Sequence, residues 1–250
     1  MTPFIQPLVF DTETTSLDFR EAEVIEFAAA VYHSGRWYMV HDQMYQPHKP
    51  ISTMVSSITH ITNRMVAECD HFDSAPVQEE LSRCLHLGDI YVAHNLFYDE
   101  RVLKNYDLTF PRQVCTMKMA KRLHPDLECY KLGYLRYHFD LPVPEDLIPH
   151  RARADVIVTA LLFERLLEDA IAAGHLEDNE TLPDQLLAWM SSPILIEKMP
   201  FGKHKGVPLA QVPMSYWMWA LDNVSSLQED APEYDPDFAE SVRLVLERQV

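Results

Sequence analysis

The sequence predicts a mixed α/β fold, in which a sheet with an antiparallel edge is flanked by helices and followed by a small C-terminal appendage. Three strand-like runs open the chain at 8–12, 24–33 and 37–45. Helical patterns then alternate with short apolar runs as far as residue 173. Consecutive strands followed by alternating helices and strands are typical of such a sheet.

Turn residues and hydrophobic periodicity divide the chain into its elements. Ser34-Gly35-Arg36 predicts a hairpin between the second and third strands, and Pro47 and Pro50 end this block. The later elements are predicted in this order: a helical region over 51–86, a buried strand at 90–93, a helix in FYDERVLKNY, a strand end and helix in VCTMKMAKRL, a short helix in YKLGYLRYHFDL, and a long helix at 151–173.

These patterns predict three parts in the chain. A main domain covers 1–176, and a polar segment interrupted by proline, at 177–193, is interpreted as a linker. The remaining residues, 194–250, form a small C-terminal element that begins with PFGKHKG and closes with a helix from Pro236. We expect the PFGKHKG segment to form two short strands around a turn.

Charge and cysteine content limit the classes of protein. The 250 residues include 21 Lys plus Arg and 38 Asp plus Glu, a net charge of −17, whereas a protein that coats phosphate is basic. The acidic composition remains compatible with an enzyme that binds nucleic acid through a local patch and metal ions. The four cysteines form no C-x-x-C pair and predict reduced thiols. The chain shows no signal peptide or membrane span, so we expect a cytoplasmic protein.

Asp11 and Glu13 stand in an apolar run that otherwise predicts a buried strand. Residues i and i+2 of a strand point to the same face, roughly 7 Å apart. Two carboxylates on one face repel each other and resist removal from water unless a cation lies between them. The alternative is that Asp11 caps a turn and that Glu13 is solvated.

Two further acids strengthen the interpretation as a metal site. Asp99 and Asp155 each lie in the first turns of a predicted helix, and His150 precedes the second helix. Each acid alone could simply favour the helix dipole. Four acids and a histidine together suit a phosphodiesterase site with two divalent ions about 3.5–4 Å apart. Oxygen ligands favour Mg²⁺ or Mn²⁺ over zinc.

Three motifs in order resemble the DnaQ-like, DEDDh family of 3′→5′ exonucleases. They are D-x-E-T-T from Asp11, H-N-x-x-[FY]-D-x-x-x-L from His94, and H-x-x-x-x-D from His150. The resemblance covers residues 5–172, and three motifs at sensible spacing are more specific than any one. The segments CTMKMAKRLHP and PFGKHKG are similar to those of the exonuclease X branch of this family. The resemblance implies a ribonuclease H-like fold with a mixed five-stranded sheet.

The resemblance also implies a role for each residue. Asp11, Glu13 and Asp155 would bind the catalytic metal, and Asp99 would hold the second ion directly or through water. His150 would be the general base that deprotonates the attacking water. Its spacing from Asp155 fits the histidine subclass of the family.

A second set of residues is implied to contact the nucleic acid. The terminal nucleotide would meet the loop after the first strand and the turn before Asp99, through Thr12, Thr14, Thr15, Leu17, His94 and Asn95. For His94 and Asn95 the alternative is an ordinary turn before a helix. Three positions depart from the family pattern: Ser16 stands for the usual Gly, Tyr98 for the common Phe, and Thr59 for a His. None of them removes a metal ligand.

The C-terminal element contains a dense basic cluster followed closely by aromatic residues. The cluster and the aromatics are Lys198, Lys203, His204 and Lys205, and Tyr216, Trp217 and Trp219. Positive charge beside aromatic faces suits single-stranded nucleic acid, and Lys203 and Lys205 are the candidates for contact. The alternative is a solvated turn above a small core that contains both tryptophans.

The sequence therefore predicts a metal-dependent 3′→5′ exonuclease that hydrolyses DNA from a free 3′ end to nucleoside 5′-monophosphates, with two Mg²⁺ or Mn²⁺ ions. An exoribonuclease with the same fold is the main alternative, because both enzymes share the metal chemistry and differ in contacts to the 2′-OH. A catalytically silent nucleic-acid-binding subunit is the other, and the complete set of site residues argues against it.

Overall fold

The computed structural model describes residues 2–231 and 233–248 and divides the chain into two compact units. The first unit is Met1–Met190 and the second is Ser191–Val250. The outermost residues of the predicted first and last parts, 1 and 249–250, lie outside the described residues. Among the described residues, no helix is long and apolar enough to cross a membrane.

A mixed five-stranded sheet forms the centre of the first unit, as predicted. Its strands are β1 (Pro7–Thr14), β2 (Val24–His33), β3 (Arg36–Met44), β4 (Ile90–Ala93) and β5 (Gln113–Cys115). The strand order is β3-β2-β1-β4-β5. The pairs β1–β2 and β2–β3 are antiparallel, whereas β4 lies parallel to β1 and β5 parallel to β4. The hairpin that joins β2 and β3 turns at Ser34 and Gly35, which both have positive φ.

Eight helices cover this sheet in the described part of the first unit. They are α1 (Thr53–Thr59), α2 (Asn63–Val66), α3 (Ala75–Leu85), α4 (Leu96–Lys104), α5 (Thr116–Leu123), α6 (Leu132–His138), α7 (Ala152–Ala172) and α8 (Leu182–Ser191). The predicted helices from α3 to α7 are therefore present, with ends shifted by a few residues. Helix ends are the part of an element that periodicity defines least well.

Alternate residues of β1 enter two different cores. Leu8 and Phe10 pack with residues of α3 and α4, while Val9 packs with residues of α5, α6 and α7. Because side chains alternate along a strand, Asp11 and Glu13 continue the face of Val9, toward α7. The apolar pattern of β1 thus determines to which side its two carboxylates point.

The predicted linker over 177–193 is not an extended connection, because its second half forms α8. Leu182, Leu186 and Met190 are buried in the same core as α7. Their i, i+4, i+8 spacing places them on one helical face. Pro183 is compatible with this helix because it lies in the first turn, where its missing N–H is not needed.

The second unit has a small core of its own. Its helices are α9 (Met214–Asn223) and α10 (Pro236–Glu247), and α10 begins at the predicted Pro236. The Asp235 carboxylate caps α10 by accepting hydrogen bonds from the backbone N–H groups of Asp237 and Phe238, both at 3.0 Å. Trp217 is fully buried beside Phe238, which fits the core alternative for this tryptophan.

The PFGKHKG segment forms a compact loop instead of the two predicted strands. A single antiparallel bridge joins Lys198 to Pro208, and Gly202–His204 forms a 3₁₀ turn. The N–H groups of Met199 and Gly206 donate to Val207 and Met199 carbonyls, each at 2.8 Å. Prolines at 200 and 208 lack the N–H donors that a longer ladder would need.

Candidate active site

Four carboxylates and a histidine meet at the ends of β1, α4 and α7. Asp11 and Glu13 end β1, while Asp99 and Asp155 lie in the first turns of α4 and α7. Ligand atoms of Glu13, His150 and Asp155 all lie within 4.8 Å of one another. Asp11 interacts electrostatically with Asp155, Asp99 and Glu13, so the structure brings together the five residues that the three sequence motifs single out.

Burial, and then the neighbouring negative charges, disfavour the ionised form of the carboxylates. Burial, followed by the charges of Asp155, Asp99 and Glu13, raises the pKa of Asp11 well above its usual range. Burial and the neighbouring acids also raise the pKa of Glu13 to about 8, and burial is the largest cause that raises the pKa of Asp99 to about 7 and that of Asp155 to about 6. A cluster of partly dehydrated oxygen donors that resists ionisation is suited to divalent cations such as Mg²⁺ or Mn²⁺.

Thr12 holds Asp99 against the end of β1. The Asp99 Oδ1 atom accepts hydrogen bonds from the Thr12 N–H at 3.2 Å and from the Thr12 hydroxyl at 2.5 Å. These bonds favour the ionised form and oppose the effect of burial on the pKa of Asp99. Thr12 therefore positions a candidate metal ligand, which differs from its implied role beside the nucleotide.

A buried ion pair that the sequence analysis missed anchors the start of α7. Glu26 of β2 is 2% exposed, and it lies opposite Glu13 in the sheet register. Its carboxylate accepts two bonds from Arg151 Nε, at 3.1 and 3.0 Å, and one from Nη2 at 2.5 Å. It also accepts the N–H of Ala152, the first helical residue, at 2.8 Å. The sequence signal for this role of Glu26 is a single acid within the otherwise hydrophobic run of β2.

His150 lies on the exposed turn before α7, where its backbone has a φ of 58°. Its backbone N–H hydrogen-bonds the Asp155 carboxyl, and its charge lowers the pKa of that carboxyl against the effect of burial. Arg151 directly follows His150. Its ion pair with Glu26 therefore restrains the backbone on the C-terminal side of His150.

The loop after β1 is fixed by hydroxyl groups. The Tyr98 hydroxyl donates to the Ser16 carbonyl and lies 2.5 Å from the Thr14 hydroxyl. The Thr15 hydroxyl accepts the N–H of Glu23 at 3.0 Å. Ser16 is not among the described non-glycine residues with positive φ, so the serine in place of the family's glycine carries no backbone strain here.

The other predicted contact residues fall into two groups. Leu17 is 85% exposed and Asn95 is exposed at the start of α4. The ring of His94 is enclosed, with Nδ1 at 2.9 Å from the Thr116 hydroxyl and Nε2 at 2.9 Å from the Tyr130 carbonyl. Burial lowers the pKa of His94 to about 4. Its ring nitrogens thus connect three segments of the chain and are already occupied.

Two further predicted features belong to other segments of the chain. Thr59 is buried at the end of α1, and its hydroxyl donates to the Val55 carbonyl at 3.1 Å. Lys203 and Lys205 belong to the second unit and are exposed. The Thr59 side chain therefore stabilises the end of its own helix.

The raised pKa values predict that stability of the metal-free protein falls as pH rises. Glu13 has a pKa of about 8 in the folded protein against an ordinary value of 4.5, so the folded state binds its proton more tightly than the unfolded state. This contribution is complete below about pH 4 and is lost as pH rises toward 8. In EDTA, Asp11→Asn should therefore be more stable than the wild type at pH 8, with a smaller difference at pH 5.

Thermal unfolding at both pH values, with and without Mg²⁺, tests this prediction. Mg²⁺ should raise the Tm of the wild type and raise that of Asp11→Asn less, since ions bind only the folded site. Asp18→Asn is the matched control, because Asp18 is a partly exposed acid outside the cluster whose pKa is lowered by Arg20. Parallel pH profiles for wild type and Asp11→Asn would contradict the prediction.

The buried Glu26–Arg151 pair should stabilise the protein far more than the neighbouring exposed pair of Arg153 and Asp42. Arg151→Met leaves the Glu26 charge buried and should cost about 3 kcal/mol of unfolding free energy. Arg153→Met removes an exposed pair with Asp42 and should cost at most about 1 kcal/mol. Denaturant unfolding measures both. The double variant Glu26→Gln/Arg151→Met should recover part of the loss, and equal losses for the two arginine variants would refute the ranking.

Comparisons with known proteins identify the family of the chain. The sequence profile of the family described as Exonuclease matches residues 8–163, and a profile described as a putative quorum-sensing-regulated virulence factor matches residues 191–223. Exodeoxyribonuclease 10 of Escherichia coli (strain K12) is 27% identical over 226 residues, which cover 89% of this chain and 93% of that protein. The 3′-5′ exonuclease DinG of Bacillus subtilis (strain 168) is 30% identical over 168 residues, 64% of this chain and 17% of that protein.

Solved structures show the same fold. Exonuclease X in complex with 5′ overhanging duplex DNA superposes with a TM-score of 0.56 and 28% identity, over 72% of this chain and 99% of that chain. The cell-death related nuclease 4 structure superposes with a TM-score of 0.53 and 21% identity, over 67% of this chain and 65% of that chain. The chain thus belongs to the exonuclease family, with its ribonuclease H-like fold, and the protein is a 3′–5′ exonuclease.

Proposed function

We propose that this exonuclease hydrolyses DNA from the 3′ end and releases nucleoside 5′-monophosphates, with divalent ions held by its four clustered carboxylates. The observation that carries the proposal is the meeting of Asp11, Glu13, Asp99 and Asp155 beside His150. Two of the comparisons support DNA as the substrate. The similar sequence is named an exodeoxyribonuclease, and the similar structure was solved with duplex DNA bound.

The carboxylates fit two ions of the Mg²⁺ or Mn²⁺ class. Asp11, Glu13 and Asp155 would hold one ion, and Asp11 and Asp99 the second. Such ions neutralise charge on the phosphate and lower the pKa of bound water. Without them, burial first and the neighbouring negative charges second raise the pKa values of Asp11 and Glu13.

His150 is proposed to accept the proton of the attacking water. Its ring is on an exposed turn and close to Glu13 and Asp155, so a neutral imidazole there can take a proton and pass it to solvent. The water oxygen forms a new bond to phosphorus, and the bond from phosphorus to the 3′ oxygen of the preceding nucleotide breaks. That oxygen takes up a proton, and the released nucleotide keeps its 5′ phosphate.

The loop from Thr14 to Leu17 is proposed to receive the terminal nucleotide. Leu17 exposes a large apolar side chain next to the carboxylates in sequence, where a nucleobase can pack against it. The Tyr98 hydroxyl fixes the backbone of this loop. A fixed loop keeps the scissile phosphate in a constant position relative to the carboxylates.

Hydrolysis of 5′-labelled substrates tests the proposal. Single-stranded DNA, duplex DNA and RNA of one sequence are incubated with Mg²⁺ or with EDTA. We expect stepwise shortening of DNA from the 3′ end, release of 5′-monophosphates, and no reaction in EDTA. Faster degradation of RNA than of DNA would show that RNA is the preferred substrate. Endonucleolytic fragments would refute a reaction that starts from the 3′ end.

His150→Ala should lower turnover by about 10²–10⁴-fold and leave DNA affinity almost unchanged, because a general base acts mainly in the transition state. Wild-type turnover should rise with pH over the range in which an imidazole loses its proton, and the variant should lack this rise. His33→Ala, an exposed histidine at the end of β2, is the control and should behave like the wild type. Full turnover of His150→Ala would eliminate the proposed base.

We further propose that the second unit grips the nucleic acid through Lys203 and Lys205. Lys203 Nζ lies 5.1 Å from the centroid of the Tyr216 ring, which contacts Trp219 at 5.4 Å between centroids. Trp219 is 51% exposed, unlike the buried Trp217. Exposed lysines beside a partly buried tyrosine and an exposed tryptophan match the requirements for phosphate contact and base stacking.

Neutralising both lysines, as Lys203→Met/Lys205→Met, should weaken binding to single-stranded DNA and make the salt dependence shallower by about 1.4 in log K against log salt. Turnover on saturating short oligonucleotides should stay unchanged. The control Arg64→Met/Lys131→Met removes two exposed charges of the first unit and should leave the slope unchanged. Equal slopes for both double variants would show that Lys203 and Lys205 do not touch phosphate.

A further inference from the structure

A second group of potential metal ligands lies outside the carboxylate cluster. It consists of His48, on the segment after β3, and of His71 and Asp73, on the segment before α3. One ligand atom from each residue lies within 4.8 Å of the other two. Unlike the active-site cluster, this group offers two imidazoles and a single carboxylate.

The backbone orients His71 as metal-binding histidines are usually oriented. Its Nδ1 lies 2.7 Å from the Gln46 carbonyl, so a neutral ring donates its Nδ1 proton there and keeps a lone pair on Nε2. A hydrogen bond from the second ring nitrogen to a carbonyl is the typical support of a metal-ligating histidine. The N–H of Gln46 also donates to the Asp70 carbonyl at 3.0 Å, which ties the two ligand-bearing segments together.

His48 is held in place from its backbone. Its N–H donates to Glu23 Oε2 at 2.5 Å, and the N–H of Lys49 donates to Glu23 Oε1 at 3.2 Å. The His48 ring stacks on the His71 ring with 4.4 Å between centroids, and its Nε2 lies 3.0 Å from Asp73 Oδ2. The main chain is therefore fixed, and the ring is held beside the other two ligands while its side chain stays 61% exposed to solvent.

The turn that carries the other two ligands is also defined. The N–H of Ser74 donates to the His71 carbonyl at 3.0 Å, which closes a turn over His71–Ser74. Asp73 lies on this turn with its side chain 50% exposed. Solvent thus reaches the group, and water can complete the coordination of an ion that three protein ligands hold.

The geometry points to a zinc-binding site formed by His48, His71 and Asp73, and we propose that it binds one ion independently of the active site. Two histidines, a carboxylate and water form a common zinc ligand set. Imidazole nitrogens favour zinc, whereas the all-carboxylate ligands of the other cluster favour Mg²⁺. The two sites would thus select different metals from the same solution through their donor atoms.

Zinc binding to the full chain in the presence of excess Mg²⁺ tests the proposal. Bound zinc is measured after gel filtration by mass spectrometry, and the affinity by calorimetry. We expect His48→Ala and His71→Ala to bind one zinc ion per chain fewer than the wild type, or to bind it at least about 100-fold more weakly. His86→Ala, which removes an exposed histidine just after α3, should bind zinc like the wild type.

The active-site variant Asp11→Asn/Asp155→Asn separates the two clusters and should retain this zinc ion. His48→Ala should keep Mg²⁺-dependent nuclease turnover and an unchanged circular dichroism spectrum, because His48 is exposed and lies outside the carboxylate cluster. Co²⁺ added to the wild type should give the visible absorption of a four-coordinate ion, and His48→Ala should lack it. Equal zinc content and affinity in the wild type, His48→Ala and His71→Ala would overturn the proposal.

Discussion

The candidate active site depends on holding four carboxylates together despite their mutual repulsion and their loss of water. The folded chain supplies one restraint for each element that carries them. β1 lies in the middle of the sheet, Thr12 fixes Asp99 of α4, and the Glu26–Arg151 pair fixes the start of α7. Burial of the sheet and helices provides the favourable free energy, and the acid cluster costs part of it.

Two departures from the family motif prove to be in contact. Tyr98 carries a hydroxyl that phenylalanine lacks, and this hydroxyl donates to the carbonyl of Ser16, where the family usually has glycine. The neighbouring Asp99 is bonded to Thr12. One turn of α4 therefore holds both a candidate metal ligand and the loop proposed to receive the nucleotide, so that a shift of α4 would move both together.

The distribution of charge reconciles an acidic chain with an anionic substrate. A net charge of −17 gives no general attraction for phosphate. Attraction must come from local positive groups, and the exposed lysines of the second unit are candidates. Divalent ions would provide the rest at the acid cluster itself, where the same carboxylates that repel DNA hold the cations that bind it.

The sequence by itself determined the strands, the long helix and the five motif residues, because periodicity and short-range spacing are local properties of the chain. Asp11 and Glu13 share a face whatever surrounds them, and alternation with Val9 sets which face that is. The mixed direction of the strands was also predicted, since consecutive strands followed by alternating helices and strands are typical of such a sheet.

Only the tertiary structure decided which residues are partners over long distances. Glu26 and Arg151 are separated by 125 positions, and no local pattern records that they meet. The burial of α8 and of Trp217, and the exposure of Trp219, depend on which helical face finds a core to cover it. His48, His71 and Asp73 likewise converge because two loops are hydrogen-bonded to each other. Such contacts depend on packing between segments, which the spacing of residues along the chain does not encode.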